Sequence, residues 1–352
     1  NHDKALGTAF DYLEYLGTSD MTPEELKSEF YRLACTFYVS PGNERTYVVL
    51  SGLNENMPAA VQLFEKLLAD AQVNKEAYTN MTGDILKARS DAKLNQGQNF
   101  SRLMSFAMYG PKSPATNLLT EAELTNMNPQ ELVDRIHNQN SYKHRILYYG
   151  PSSSKNLLAT INQYHQVPAT LKEIPAGNEY SYLETPVTKV LIAPYDAKQI
   201  YMAQISNLDK KYDPAIEPIR ALYDEYFGGG MNSIVFQEMR ETRGLAYSAW
   251  ASMMPPSYLK YPYVLRTQIA TQNDKMIDAV TTFNDIINNM PESEAAFKLN
   301  MTLKDIVDFQ KQWVKGRTYV YCILGDKKDL ELDKLKAVGP IEELTQEQIF
   351  GY

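Results

Sequence analysis

Tyr223-Asp224-Glu225-Tyr226-Phe227-Gly228 reads as a second copy of Tyr12-Leu13-Glu14-Tyr15-Leu16-Gly17, which lies 211 positions earlier. The likeness extends outward from both copies. Asn54-Glu55-Asn56-Met57 returns as Asn273-Asp274-Lys275-Met276 at an offset of 219, and Ala60, Val61, Phe64, Leu67 and Tyr78 return as Ala279, Val280, Phe283, Ile286 and Phe297. These apolar positions recur three to four residues apart, so one amphipathic helix occurs twice. A third block, Asn126-Met127 with Glu131-Leu132-Val133-Asp134, returns as Asn300-Met301 with Asp305-Ile306-Val307-Asp308 at an offset of 174. Each copy of that block is followed by an apolar run that ends in glycine. The runs Ile146 to Tyr149, before Gly150, and Tyr319 to Leu324, before Gly325, are predicted to be buried strands.

A chain that repeats at this period is two copies of one folded unit. Each copy mixes helices and strands without regular βαβ alternation. Thr22-Pro23-Glu24-Glu25 and Asn128-Pro129-Gln130-Glu131 each predict a capping box with proline at the first helical position. Tyr47 to Leu50 and Val187 to Ala193 predict short strands. The expected fold class is therefore α+β, two tandem homologous two-layer domains. The first is placed at 1–166 and the second at 185–352, joined by a linker over 167–184 that carries Pro168, Pro175 and Gly177. The offset falls from 219 to 174, which makes the second repeat about 45 residues shorter. The segment Thr79 to Thr125, with helical stretches at Ile85 to Ala92 and Asn99 to Tyr109, has no counterpart in the second repeat. The expectation is that residues of the molecule are missing after Phe297.

Composition narrows the function classes. A net charge of −8 without a Lys/Arg cluster argues against nucleic acid, whose phosphates select a basic stripe. No apolar run approaches the ~20 residues of a membrane helix. Cys35 and Cys322, each among apolar neighbours, read as buried free thiols, because zinc coordination by cysteine uses clustered pairs. The chain opens on Asn1 rather than Met, so a processed or truncated start is expected. The compartment stays open, with an extracytoplasmic, periplasmic location the favoured expectation.

The run Tyr226-Phe227-Gly228-Gly229-Gly230-Met231, then Phe236-Gln237-Glu238-Met239-Arg240, then Arg243-Gly244-Leu245-Ala246-Tyr247 resembles the signature of the insulinase/pitrilysin family of zinc metallopeptidases. Mitochondrial processing peptidases and respiratory-complex core proteins share it. The resemblance implies the mitochondrial processing peptidase-like metallohydrolase fold for both repeats, and a chamber formed by a catalytic and a non-catalytic half.

Active members of that family carry His-x-x-Glu-His on the first helix of the first repeat, with a glycine five residues after the second histidine. Aligned on Gly17, the motif falls on Thr8, Ala9, Phe10, Asp11 and Tyr12, and the third ligand falls near Ala88. Thr8 and Tyr12 replace the histidines and Asp11 the glutamate, so this chain is expected to bind no metal of its own. Asp224 and Glu225 lie near the equivalent site of the second repeat, again without histidine. Nor do the histidines offer another set: His2, His137, His144 and His165 lack a partner at metal-binding spacing and read as solvated or structural.

The resemblance therefore implies the carboxyl-terminal, non-catalytic half of a zinc metalloendopeptidase. Its partners would be peptide substrate and a catalytic half, in the same polypeptide or a paralogous subunit, and the zinc would sit in that other half. The alternative is a stand-alone inactive homologue acting as a structural or peptide-binding subunit. Favouring the first, the strands expected before the Ala5 to Leu16 helix are missing, whereas the second repeat has Val187 to Ile205 in that place. By resemblance, Arg240 and Tyr247 reach across the chamber to substrate, and Gly228, Gly229 and Gly230 belong to the same substrate-binding signature. Read on their own, these glycines lack phosphate-loop spacing and suit close backbone packing or positive φ. Arg240 could equally cap a helix or pair with Glu238 or Glu241, and Arg243 could take its part. Tyr12, Tyr15, Tyr223 and Tyr226 lie at helical spacing, which suits core packing first and a peptide-binding wall second.

Overall fold

The computed structural model describes residues 2–42, 45–292 and 302–352. In chain order the helices and strands are α1 (Ala5–Leu13), α2 (Pro23–Arg32), β1 (Cys35–Pro41), β2 (Thr46–Gly52), α3 (Met57–Asp70), α4 (Lys75–Lys93), α5 (Gln96–Tyr109), α6 (Glu121–Asn126), α7 (Pro129–His137) and α8 (Ser154–Tyr164). The second half follows with β3 (Lys189–Pro194), β4 (Gln199–Lys211), α9 (Glu217–Phe227), α10 (Ile234–Phe236), β5 (Ser248–Met254), β6 (Pro262–Gln272), α11 (Met276–Asn288), α12 (Leu303–Trp313), β7 (Val320–Gly325), α13 (Leu332–Val338), β8 (Ile341–Glu343) and α14 (Gln346–Phe350). Helix α10 continues into a π-helical turn, Gln237–Thr242. The stretch after Phe297, where the shortfall of the second repeat is expected, lies outside the described residues.

Two compact units form, Asn1–Ser90 with Asn117–Glu179, and Asp91–Thr116 with Tyr180–Tyr352. The repeat is plain in the element order. Asn54–Asn56 and Asn273–Lys275 are both 3-10 turns that run straight into a helix, at Met57 and at Met276. Thr22 starts α2 with a full capping box, because its hydroxyl accepts from Glu25 N–H while Glu25 accepts from Thr22 N–H. Asn128 caps α7 more simply, through Gln130 N–H, and Glu131 turns toward Arg135 at 3.8 Å instead of closing a box.

In the first unit, α1, α2, α3, α6 and α7 enclose an apolar core that includes Phe10, Leu13, Phe30, Phe64, Leu67, Leu132 and Ile136. Burying each of these large side chains contributes about 1.5–3 kcal/mol, which is why the 3.6-residue pattern decides the packing. The only sheet among the described residues of this unit is the antiparallel hairpin β1–β2. Ile146 to Tyr149, predicted as a buried strand, is not one. Leu147 is 77% and Tyr149 104% exposed, and the segment joins no sheet. The run is apolar enough for a strand, but nothing in the unit pairs with it.

The second unit has a six-stranded sheet in the order β5-β6-β4-β7-β3-β8. Strand β4 is antiparallel to both β6 and β7, whereas β3 is parallel to β7 and to β8. Every residue of β7 is buried, as the run Tyr319 to Leu324 predicts. One face carries a core built with Tyr223, Phe227, Phe283 and Ile306 from α9, α11 and α12. The opposite face, with Leu191, Ala203, Val320 and Cys322, is covered by Phe100, Leu103 and Met104 of α5 and by Phe350 of α14. Helix α5, which the repeat boundaries assign to the first domain, thus packs in the second unit. Both cysteines are buried and free.

Candidate functional site

The signature of the second repeat folds as one continuous piece. Helix α9 buries Tyr223, Tyr226 and Phe227 in the core, with the Tyr223 hydroxyl donating to Gln310 Oε1 and that of Tyr226 to the Pro291 carbonyl at 3.2 Å. Desolvation holds the Tyr223 hydroxyl well above its ordinary pKa. Both tyrosines are therefore core residues, as is Tyr12, while Tyr15 is 41% exposed.

Gly228 follows as the C-cap of α9, with φ −143°. A Cβ there would lie 2.2 Å from the carbonyl oxygen of Ala251 and 2.4 Å from its nitrogen, so the glycine lets the helix end touch the backbone of β5. Gly229 is exposed, and at Gly230 the nearest atom to a Cβ is Glu225 Oε1 at 3.3 Å. None of the three has positive φ, so the requirement is close packing, severe at Gly228 and milder at Gly229, where a Cβ would lie 2.9 Å from the Asp224 carbonyl oxygen.

Asp224 fastens the same junction. Its carboxylate accepts from Arg220 Nη1 (2.7 Å), Ser252 Oγ (2.9 Å) and Met253 N–H (2.7 Å). Desolvation dominates over these bonds and raises its pKa. These partners make Asp224 a brace between α9 and β5.

After Ser233 caps α10 through Phe236 N–H, the chain enters the π turn that presents Arg240. A π turn widens the helix and re-aims its side chains, and such turns concentrate at functional sites. The Arg240 guanidinium carbon lies 4.9 Å from the Phe236 ring centroid and 5.1 Å from that of Tyr247. Glu241 approaches Arg240 Nε only to 3.5 Å, whereas Arg243 is engaged by Glu238 at 3.1 Å. The guanidinium thus lies over two aromatic rings, with Glu241 beside its Nε.

Gly244, at φ +57°, turns the chain toward Tyr247, whose side chain is 76% exposed. The turn is tied down by Leu245 N–H to the Met239 carbonyl (2.8 Å) and by the Thr271 hydroxyl to the Leu245 carbonyl (2.5 Å). The result is a stacked Arg/Tyr pair on a fixed backbone, able to donate from a guanidinium and a phenol to one acceptor group.

The repeat-one counterparts do other work. Phe30 is buried against Phe37 (5.0 Å between rings), Glu29 pairs with Arg32 (2.8 Å), and Thr36 faces Ser51 across the hairpin.

At the degenerate metal position, Tyr12 donates to the Asn74 carbonyl (2.6 Å) and accepts from Asn74 N–H (2.8 Å), with its ring edge-on to Tyr78 at 5.6 Å. The hydroxyl is spent on the backbone, and burial raises its pKa despite the Asn74 bond. Asp11 is likewise raised, first by desolvation and then by the charge of Glu14. Thr8 is half-buried and Ala88 exposed. A zinc ion does not fit this set: the phenol is committed to the Asn74 backbone, Asp11 is a single carboxylate, and no imidazole is present. Among the described residues no group of three or more His, Cys, Asp or Glu is arranged to hold a metal ion.

The structure also joins two histidines that spacing alone kept apart. His144 Nε2 lies 2.8 Å from His165 Nε2, and His165 Nδ1 lies 2.7 Å from Glu65 Oε1 on α3. Sequence separations of 21 and 100 residues gave no local signal for this cluster.

No protein-family profile matches the chain, and no curated protein matches it. Solved structures do. A peptidase M16 inactive domain from Pseudomonas fluorescens aligns at 14% identity over 91% of this chain and 87% of its own, with a TM-score of 0.64. A protease from Helicobacter pylori aligns at 11% identity over 92% and 89%, with a TM-score of 0.61. The periplasmic protease PqqL from Escherichia coli aligns at 14% identity over 92% of this chain and 41% of its own, with a TM-score of 0.63. The chain thus spans less than half of PqqL. At these identities the likeness establishes the fold alone. No described helix is long and apolar enough to cross a membrane.

Proposed function

We propose that this chain is the non-catalytic half of a zinc metalloendopeptidase, and that it lines the substrate chamber opposite a catalytic half which holds the zinc. The observation that carries the reading is the stacked, outward-facing pair of Arg240 and Tyr247 on the π turn, at positions where the first repeat has Glu29 or Phe30 and Thr36 or Phe37. The scaffold does not call for an arginine and a tyrosine there, so a function does. Likeness to a domain described as inactive, and to proteases of which this chain covers one part, supports the division into halves.

In this reading the Arg240 fork donates to substrate carbonyls, and the Tyr247 hydroxyl donates to the oxyanion that develops at the zinc of the other half. Gly228 keeps the end of α9 tight on β5, so the pair sits on a rigid base. The test is steady-state kinetics with both halves present. Tyr247→Phe should lower kcat on the order of 10²-fold with little change in KM, the expected cost of losing one oxyanion donor, and Arg240→Ala, which removes a donor to substrate carbonyls, should lower kcat/KM on the same order. Arg243→Ala should leave kcat unchanged. If both variants fold and cleave at the wild-type rate, Arg240 and Tyr247 are scaffold and the proposal fails.

A further inference from the structure

Within the first unit the fold sets two histidines head to head. His144 Nε2 and His165 Nε2 are 2.8 Å apart, with ring centroids at 4.9 Å and planes at 88°. The rings therefore meet tip to tip at these two nitrogens.

What lies behind each ring decides where its hydrogen sits. His144 Nδ1 is 2.7 Å from the Tyr142 carbonyl, which can only accept. His165 Nδ1 is 2.7 Å from Glu65 Oε1, and the other oxygen of that carboxylate takes the Asn140 amide at 2.8 Å. Both Nδ1 atoms donate, so in the neutral rings both Nε2 atoms carry a lone pair. Two lone pairs aimed at each other repel unless an electrophile lies between them. A histidine that ligates a metal donates its other ring N–H to a carboxylate or a backbone carbonyl, and here each ring has one of the two.

The frame behind the pair is fixed, and its front is open. Glu65 stands on α3, and His165 caps the end of α8 with its N–H on the Ile161 carbonyl (2.8 Å). Residues 141–143 are pinned by Lys143 N–H to the Lys172 carbonyl (2.9 Å) and by Lys172 N–H to the Ser141 carbonyl (2.8 Å). The side chains of His165 and Glu65 are only 12% and 16% exposed, whereas His144 is exposed and gives an ion its way in. The neighbouring cations have partners of their own: Lys143 pairs with Glu173, and Lys172 lies over the Tyr142 ring at 5.6 Å.

We propose that His144 and His165 form a two-imidazole site for one divalent transition ion, Zn²⁺, Ni²⁺ or Cu²⁺, with water completing its shell and Glu65 orienting His165 from behind. Imidazole nitrogen suits these ions, whereas Mg²⁺ and Ca²⁺ take oxygen. Zinc–nitrogen bonds of ~2.0–2.1 Å at a tetrahedral angle place the two nitrogens about 3.3 Å apart, a small opening that the exposed His144 ring supplies. Two protein ligands make an exchangeable site rather than one closed by four. The site uses none of the residues at the degenerate position on α1, and it does not depend on the peptidase reading.

Calorimetric titration of the chain, without a histidine tag, tests it. ZnCl₂ should bind at one ion per chain, and MgCl₂ at the same concentrations should not bind. His144→Ala and His165→Ala should each abolish the uptake, and Glu65→Ala should weaken it at least ~10-fold, the usual cost of removing the group behind a ligating histidine. A His2→Gln, His137→Gln double variant should bind as the wild type does. Pulsed electron paramagnetic resonance of the wild-type chain with one equivalent of Cu²⁺ needs no variant, and it should show two imidazoles coupled to each ion. Three results overturn the proposal: no zinc uptake, which leaves a pair that shares only a proton; uptake undiminished in His165→Ala; or copper coupled to fewer than two imidazoles.

Discussion

Replacing Gly228 with alanine places a methyl group where the structure has backbone. The added carbon would sit 2.2 Å, 2.4 Å and 2.7 Å from the O, N and Cα of Ala251. Carbon pairs prefer about 3.5–4.0 Å, so the contact to Cα is short by about 0.8 Å or more, and those to the oxygen and nitrogen are closer still. Ala251 cannot give way cheaply, because β5 is paired with β6 through the register Ala251–Thr267. Either the end of α9 withdraws from β5, which breaks the Asp224 bonds to Ser252 and Met253, or the hairpin bends. Overpacking of this kind costs ~3 kcal/mol or more. For a unit of this size each kcal/mol moves the melting temperature about 2–4 °C, so a drop of roughly 6–12 °C is expected. Gly230→Ala is the matched control: its nearest neighbour is the tip of Glu225 at 3.3 Å, and the backbone φ is not positive. It should melt within about 2 °C of wild type. Thermal unfolding followed by circular dichroism reads both. If Gly228→Ala melts with the wild type, the close approach of α9 to β5 is not what fixes this residue, and the packing argument is wrong.

Two further expectations follow from buried groups. Tyr12→Phe leaves the Asn74 N–H and carbonyl without their partner and should destabilise the first unit by about 1–3 kcal/mol, measured by urea unfolding. Burial pushes the Cys322 thiol up to about 12 from an ordinary 9.0, with Arg266 and Lys189 opposing only in part. The folded state then binds this proton more tightly than the unfolded one. Cys322 therefore adds no pH dependence below about 9 and lowers stability as pH rises from there toward 12. In the native protein at pH 8 it should resist thiol reagents until unfolding, and rapid labelling of the folded chain would contradict its placement beneath α5.

The sequence carried most of the second unit because there the local pattern and the tertiary outcome agree. The buried run Tyr319 to Leu324 could only be an interior strand, and the Asn273 to Met276 turn announces α11 just as Asn54 to Met57 announces α3. The same reading failed at Ile146 to Tyr149, because strand propensity needs a neighbouring strand to express it. It also could not see that α5 covers the second sheet, since an apolar helix face does not say which surface it meets. At the candidate site the residues were legible, but their arrangement was not. The π turn, the approach of Arg240 to two rings and the pairing of Arg243 with Glu238 depend on a backbone insertion that no periodicity marks. The histidine pair was hidden for the opposite reason: its members are far apart in the chain and meet only through the fold.

The most direct measurement is peptide cleavage by the catalytic half alone, by this chain alone, and by the two together, with zinc supplied throughout. The account predicts turnover only in the mixture, and a mixture made with Arg240→Ala slower on the order of 10²-fold. Equal turnover by the catalytic half with and without this chain, or zinc-dependent cleavage by this chain on its own, would contradict it.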